Sequence, residues 1–383
     1  MKSLYREYAA LYNFSYMSIG ALTPLISQYL KHAGFTGAQI GVITASGTFM
    51  AIFASVFWGR RYNNSLRKHE ILILLCLSAS AICMTLEFIE EFYVFALAFG
   101  AMYFFQAPVM SLTDAFTVES RQGFGGLRAW GALGFALGIF FAGFIADRAG
   151  IDFIFWIYTG SFCLAAVTVA VIKKKEEPGE RGIKKDGRSR RGYLTMMKNR
   201  KLLKLIVCAF FWGGTNVANN TYFSFLYIEG GGSIAGVGAV MLLMVGSEVP
   251  FMAWCGRLSR KYTMEKLVLY AMMLSVIRFT VFGLGVPWWA LMLLAFSQGA
   301  VNGILLIEFV RYAAKLVDEQ YRSLAISAYY VAGSNLSTIF CQLVGGRLLD
   351  CFGAGGVYMF FALFNLCGVF LYVKFHMYAP RGV

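Results

Sequence analysis

The chain has 383 residues, 58% of them hydrophobic and only 14% charged, with a mean hydropathy of +0.63. No soluble globular protein of this length is so apolar, and hydrophobic windows long enough to cross a bilayer core recur often enough to place about twelve spans. A net charge of +14 raises nucleic acid as a partner, but the basic residues are spread over the loops between spans, so the sequence predicts no nucleic-acid partner and an all-α polytopic membrane protein.

The N-terminal stretch MKSLYREYAALYNF has no small-residue cleavage pattern after a short apolar core, so it is expected to begin a span and not a removable signal peptide. Span one, about residues 8–29, carries Tyr12, Asn13, Tyr16, Gly20, Pro24 and Gln28. Tyr12, Tyr16, Gly20 and Pro24 recur at i, i+4 and share a face. Such a face either packs against a neighbouring helix or lines a cavity, and Tyr12 and Tyr16 are candidate substrate-binding residues. Span two, residues 41–58, ends in Gly59-Arg60-Arg61-Tyr62. Span three, residues 71–88, is plainly apolar and is expected to face lipid, with Glu87, Glu90 and Glu91 outside.

Span four, residues 92–116, contains Pro108 and, near its inner end, Asp114. After a short loop GFGGLRAWGALGF, residues 123–135, opens span five with Arg128 and Trp130. A charge in a membrane helix is costly, by about 2.5–3.5 kcal/mol at the helix centre and less near its ends. Asp114 and Arg128 are therefore expected to be partners, since a short loop makes their helices neighbours. Span six covers residues 153–172.

Next comes a charged stretch, residues 173–204, with 13 Lys/Arg against 4 Asp/Glu and five Gly or Pro that break any regular element. It reads as a solvated linker, and it fixes topology. Of the 34 Lys and Arg, about 30 fall in loops or tails on its side, and only Lys31, Arg148 and Arg347 on the other, with Arg278 inside a span. Basic loops stay in the cytoplasm, so both termini are expected there, in a multi-pass protein of the plasma (cytoplasmic, in a bacterium inner) membrane. The expected domains are residues 1–172, a six-helix bundle; 173–201, the basic linker; and 202–383, a second six-helix bundle.

Span seven, residues 203–228, is the most polar, holding Trp212, Asn216, Asn219, Asn220, Tyr222 and Ser224. Hydrogen bonding between helices accounts for some of this, but three Asn beside Trp and Tyr suit a hydroxylated or amide-bearing ligand. Span eight, residues 237–255, puts Glu248 near its middle, and span nine, residues 267–284, puts Arg278 deep in the bilayer. Neither snorkels easily from mid-span, so each needs a partner or water; a structural ion pair and a functional site both meet that need. Span ten, residues 289–312, adds Gln298 and Asn302 mid-helix and Glu308 with Arg311 at its inner end. Span eleven covers residues 324–344 and span twelve residues 357–373. The eight cysteines fall singly in or beside spans, with no CxxC, and read as small hydrophobes.

Gly143-Phe-Ile-Ala-Asp147-Arg-Ala-Gly150 after span five returns as Gly346-Arg-Leu-Leu-Asp350-Cys-Phe-Gly353 after span eleven, and the basic end of span two is echoed in Gly256-Arg257-Leu-Ser-Arg260-Lys261-Tyr262 after span eight. Two six-helix repeats joined by a long loop match the major facilitator plan, with its binding site between halves at mid-membrane. The stretch from Pro108 and Leu112-Thr-Asp114-Ala to GFGGLRAWGALGF resembles the phenylpropionate-permease-like branch of that superfamily, relatives of the lactose permease and of nucleoside:proton symporters. The resemblance runs over most of the chain, though only this segment is specific. It implies a carboxylate and arginine pair beside the ligand at Asp114 and Arg128. For Glu248 and Arg278 it implies roles in binding and proton coupling. Two departures stand out: Tyr62-Asn63-Asn64 lacks the acidic residue of the superfamily's gating motif, and Ala295 sits where relatives often carry a His.

His32, His69 and His376 all fall in predicted loops or tails, so a proton carried through the membrane must ride on carboxylates. Burial disfavours a charged carboxylate and a nearby arginine favours it, so an acid facing Arg278 would change state as the cavity opens to either side. The expected function is secondary active transport, proton-coupled symport of a sugar or nucleoside by alternating access. Its expected proton-coupling residues are Glu248, Arg278 and Asp114. Arg128, Trp130, Tyr12, Tyr16, Trp212, Asn216, Asn219, Asn220, Tyr222, Gln298 and Asn302 are expected to bind substrate. Alternatives are uptake of an aromatic or other organic acid, which Arg128 or Arg278 would suit, efflux of drugs or metabolites, and a non-transporting membrane sensor. An enzyme is not expected, since the sequence has no HExxH, GxSxG, Walker loop or clustered metal ligands. The expected partners are a small-molecule substrate, protons and lipid, with no cofactor or metal, and the protein is expected to act as a monomer.

Overall fold

The computed structural model describes residues 4–119, 124–175, 199–318 and 321–378, and most of the charged linker at residues 173–201 lies outside them. The side chains of Cys255 and of Gly256 to Arg260 also lie outside the described part. Every regular element among the described residues is helical: α1 (Tyr5–Leu22), α2 (Ile26–His32), α3 (Gly37–Asn63), α4 (Lys68–Leu86), α5 (Phe92–Glu119), α6 (Phe124–Ala149), α7 (Phe153–Lys175), α8 (Arg200–Glu229), α9 (Ile234–Lys261), α10 (Met264–Gly283), α11 (Trp288–Lys315), α12 (Arg322–Ala328), a π-helical segment (Tyr329–Asn335) and α13 (Leu336–Lys374). Among the described residues nine helices are long and apolar enough to cross a membrane, the last of them, Leu324–Lys374, 51 residues long.

Several elements differ from the sequence reading, each for a local reason. Span one is two helices, because Pro24 has no N–H to continue the ladder and α1 ends at Leu22. Spans eleven and twelve run into one another through Gly353, whose φ of +65° is a conformation glycine adopts without steric cost. There Glu229 accepts the backbone N–H of Ala354 at 3.0 Å. His69 belongs to the first turn of α4 and not to a loop, its ring edge-on to Phe116 at 5.0 Å. In α4, the helix of span three, Leu72, Leu75, Cys76, Ala79 and Cys83 are buried along one side, while Leu74 and Leu77 are about half exposed on another. The seven described cysteines are free thiols.

The chain divides into two compact units, the first comprising Met1–Phe35, Val42–Gly187 and Ile234–Leu242, the second Thr36–Gly41, Arg188–Ser233 and Leu243–Val383. In the first unit α1 and α6 touch backbone to backbone. A Cβ on Gly134 would lie 2.1 Å from the carbonyl oxygen of Asn13, and one on Gly138 2.2 Å from that of Met17. Gly134 and Gly138 are one turn apart, the small-residue spacing that lets membrane helices approach closely.

In the second unit α8 does the same against the chain that follows α12. A Cβ on Gly213 would meet the carbonyl oxygen of Gly333 at 2.5 Å, and the N–H of Gly214 donates to Ser337 Oγ at 3.1 Å. Asn199 caps α8, its Oδ1 accepting from the backbone of Lys201 and Leu202 while its Nδ2 donates to the carbonyl of Leu316. Asp350, from the second copy of the repeated glycine and aspartate pattern, accepts the N–H of Gly37 at 2.6 Å and of Ala38 at 2.8 Å. These are first-turn donors with no partner inside their own helix.

Adding bulk at Gly134 is expected to force the helices apart. Gly134→Val should lower thermal stability in detergent by about 1–3 kcal/mol, the usual cost of overpacking. Gly160→Ala, at a helical site with nothing within 4 Å of the added Cβ, should leave stability unchanged or raise it slightly. Paired melting curves check both.

Candidate functional site

Among the described residues each unit brings several of the sequence candidates together in a polar cluster on apolar helices. In the first unit the cluster is Tyr12, Asp114 and Arg128, from α1, α5 and α6. Asp114 Oδ1 accepts from Tyr12 Oη at 2.8 Å, and its Oδ2 accepts from Arg128 Nη1. The Tyr12 ring is fully buried, and Tyr16, one turn on, lies 6.0 Å from it, with the open side of Gly131 beneath its ring. The side chains of Arg128 and Asp114 are 53% and 25% exposed, so the pair is open at the surface of its unit and its net worth is taken as about 1 kcal/mol or less. This is a charged surface open to a ligand more than a structural clamp. Trp130, from the same turn as Arg128, is exposed and donates its indole N–H to Tyr5 Oη at 3.3 Å.

The second unit buries a longer network. Tyr358 Oη donates to Asn219 Oδ1 at 2.7 Å, and Asn219 Nδ2 donates to Gln298 Oε1 at 3.3 Å. The same Gln298 oxygen accepts from Arg278 Nη1 at 3.1 Å. One turn along α11 from Gln298, Asn302 Nδ2 donates to Glu248 Oε1 at 2.6 Å. The register comes from α9 and α11 meeting at Gly299, where a Cβ would lie 2.5 Å from the carbonyl oxygen of Ser247. Ser247 precedes Glu248, so this close approach sets the carboxylate beside Asn302.

Arg278 is only 2% exposed, and its Nε and Nη2 have no hydrogen-bond partner. It forms no ion pair with Glu248, and a neutral amide oxygen is its one polar contact among the described residues. Its guanidinium lies 4.5 Å from the centre of the Phe279 ring and 6.0 Å from that of Phe282. Burying a cation with most donors unmade is expensive. Asn302 Oδ1 is also buried without a partner. The network thus offers two donors on an arginine and one acceptor on an amide.

The remaining sequence candidates fall elsewhere. Trp212 is buried in the core of the second unit, stacked on Phe309 at 5.7 Å with Tyr329 beyond. Tyr222 spends its hydroxyl on the carbonyl of Gln342 at 2.6 Å. Asn216 is half-buried with Oδ1 unsatisfied, and Asn220 is half-buried outside the network. Sequence reasoning missed Tyr358, which closes the network, and Asn365, which accepts from Ser275 Oγ and donates to Thr215 Oγ1. Their spacing of seven, two turns of one face, was the available signal.

Residues 5–360 match the model of the MFS_1 like family. The chain belongs to that family. It is accordingly a multi-pass membrane transporter of the major facilitator type, not an enzyme. It is 29% identical to the maltose permease of Geobacillus stearothermophilus over 94% of this chain and 91% of that protein. It is 23% identical to the probable 3-phenylpropionic acid transporter of Escherichia coli (strain K12) over 96% and 97%. Among solved structures the nucleoside transporter NupG superimposes with a TM-score of 0.85 at 15% identity, covering 99% of this chain and all of that one, a likeness of fold.

Asn219→Leu removes the partner of the Tyr358 hydroxyl and one partner of Gln298, both in buried surroundings. The orphaned Tyr358 hydroxyl should cost about 1–3 kcal/mol, Gln298 keeping Arg278 as its partner, whereas Asn220→Leu should stay within about 0.5 kcal/mol. Thermal melts of the two variants against the parent check this.

Proposed function

We propose that the protein is a proton-coupled symporter of a small polar organic solute, a sugar by preference and a nucleoside next, working by alternating access between residues 1–172 and 202–383. The observation that carries this reading is the buried polar network of the second unit. Its hydroxyl, amides and carboxylate suit a ligand with many hydroxyl groups, each able to give and take a hydrogen bond. The maltose permease likeness, and a 27% identity to the sucrose permease of Escherichia coli over 37% of this chain, support a sugar.

In this reading Glu248 carries the proton. Its contact is a neutral amide, so gaining or losing a proton breaks no ion pair, and Arg278 acts on it through space and through the ligand. Asp114 and Arg128, with Tyr12 and Tyr16, hold the ligand from the first unit. Both termini face the cytoplasm, on the weight of the basic loops, and the monomer is the working unit.

A second reading is uptake of an aromatic or other organic acid. It is favoured by the two unmade donors of Arg278, a geometry that receives a carboxylate, and by the likeness to the 3-phenylpropionic acid transporter.

The test is proton movement into proteoliposomes loaded with a pH dye and challenged in turn with sugars, nucleosides and aromatic acids. Sugar should acidify the lumen, and Glu248→Gln should reduce the signal to the no-substrate background. Acidification by aromatic acids alone selects the second reading. Full acidification by Glu248→Gln removes Glu248 from the proton path.

A further inference from the structure

At the basic end of the first unit α3, α4 and α5 enclose a groove of about 1190 Å³. One part of its wall is apolar: Phe53, Val56 and Phe57 of α3 and Leu74 of α4, each about half exposed, with Phe104 of α5 behind. The other part is cationic, formed by Arg60 and Arg61 in the last turn of α3 and Arg67 just before α4. From Phe53 to Arg60 the helix rises about 10 Å, so the groove changes from hydrocarbon-like to strongly basic over the depth of a lipid's upper acyl chain and headgroup.

A further feature points to an occupant. None of the three guanidinium groups is in an ion pair among the described residues, and the one acidic side chain of the lining, Glu70, is held by Lys173 Nζ at 2.7 Å. The groove therefore presents an uncompensated cationic rim. An apolar wall alone would suit any acyl chain. Three forked donors above it select a phosphodiester bearing net negative charge.

We propose that this groove is a binding site for an anionic glycerophospholipid of the adjoining leaflet. Its acyl chains lie along Phe53, Val56, Phe57 and Leu74, and its phosphodiester lies among Arg60, Arg61 and Arg67. The site is separate from the polar clusters and stands whatever solute the protein carries.

The experiment is native mass spectrometry of the full chain released from micelles doped with phosphatidylglycerol, phosphatidylcholine or phosphatidylethanolamine at equal mole fraction, with inorganic phosphate as a fourth arm. The phosphatidylglycerol adduct should exceed either zwitterionic adduct, and Arg60→Gln/Arg67→Gln should lower it by about 25-fold, at about fivefold per basic residue. Arg60→Lys/Arg67→Lys, which keeps the charge and so guards against a folding defect, should retain part of it. Lys184→Gln/Lys185→Gln in the linker should leave it unchanged. Equal adducts of all three lipids, an undiminished adduct in Arg60→Gln/Arg67→Gln, loss of the adduct in the linker variant, or displacement of phosphatidylglycerol by equimolar phosphate would each overturn the proposal.

Discussion

Inside hydrocarbon a peptide N–H or C=O has no water to fall back on, so every crossing is a helix that satisfies itself, and helices hold together only through what their surfaces add. In this protein they add two things. Glycines let backbones touch, as at Gly134 against Asn13 and Gly213 against Gly333. A few polar side chains then bond across the contact. The order matters, because the backbone approach fixes the register in which polar side chains meet. Glu248 finds Asn302 because Ser247, one residue before Glu248, and Gly299, one turn before Asn302, are already in contact.

The two clusters use charge in opposite ways. Asp114 and Arg128 are paired and partly exposed, so neither charge stands uncompensated. Arg278 is buried and, among the described residues, bonded only to a neutral amide, which leaves its charge uncompensated by contact. A buried cation without a counter-ion is unfavourable until something anionic or richly polar arrives. That gives the second unit a reason to bind.

Much of this was legible in the sequence, because membrane helices advertise their exceptions. Asp114, Arg128, Glu248, Arg278, Gln298 and Asn302 stand out as polar groups in apolar surroundings, and each belongs to one of the two clusters. Partner choice was less legible. Nothing in the spacing says that Arg278 bonds to Gln298 and not to Glu248, since that depends on how deeply α10 is set against α11. Aromatic residues misled in the other direction. Trp212 looked like a ligand surface and is a core side chain, because a large ring on a polar helix serves packing as readily as stacking. The groove at Arg60 was hidden for another reason: α3 and α4 are ordinary basic-ended spans, and only their packing makes a concavity.

The π-helical segment at Tyr329–Asn335 has a consequence for how the rest of its helix faces. An α-helix turns about 100° per residue, and a π-turn holds more residues per turn, so the chain beyond Asn335 is rotated relative to an unbroken α-helix. That rotation aims Ser337 at α8, where it accepts from Gly214. A helical wheel drawn straight through the stretch would assign the downstream residues to the wrong face. Loss of one residue within it, by restoring the α phase, would turn the remaining crossing away from its neighbour without changing any side chain there.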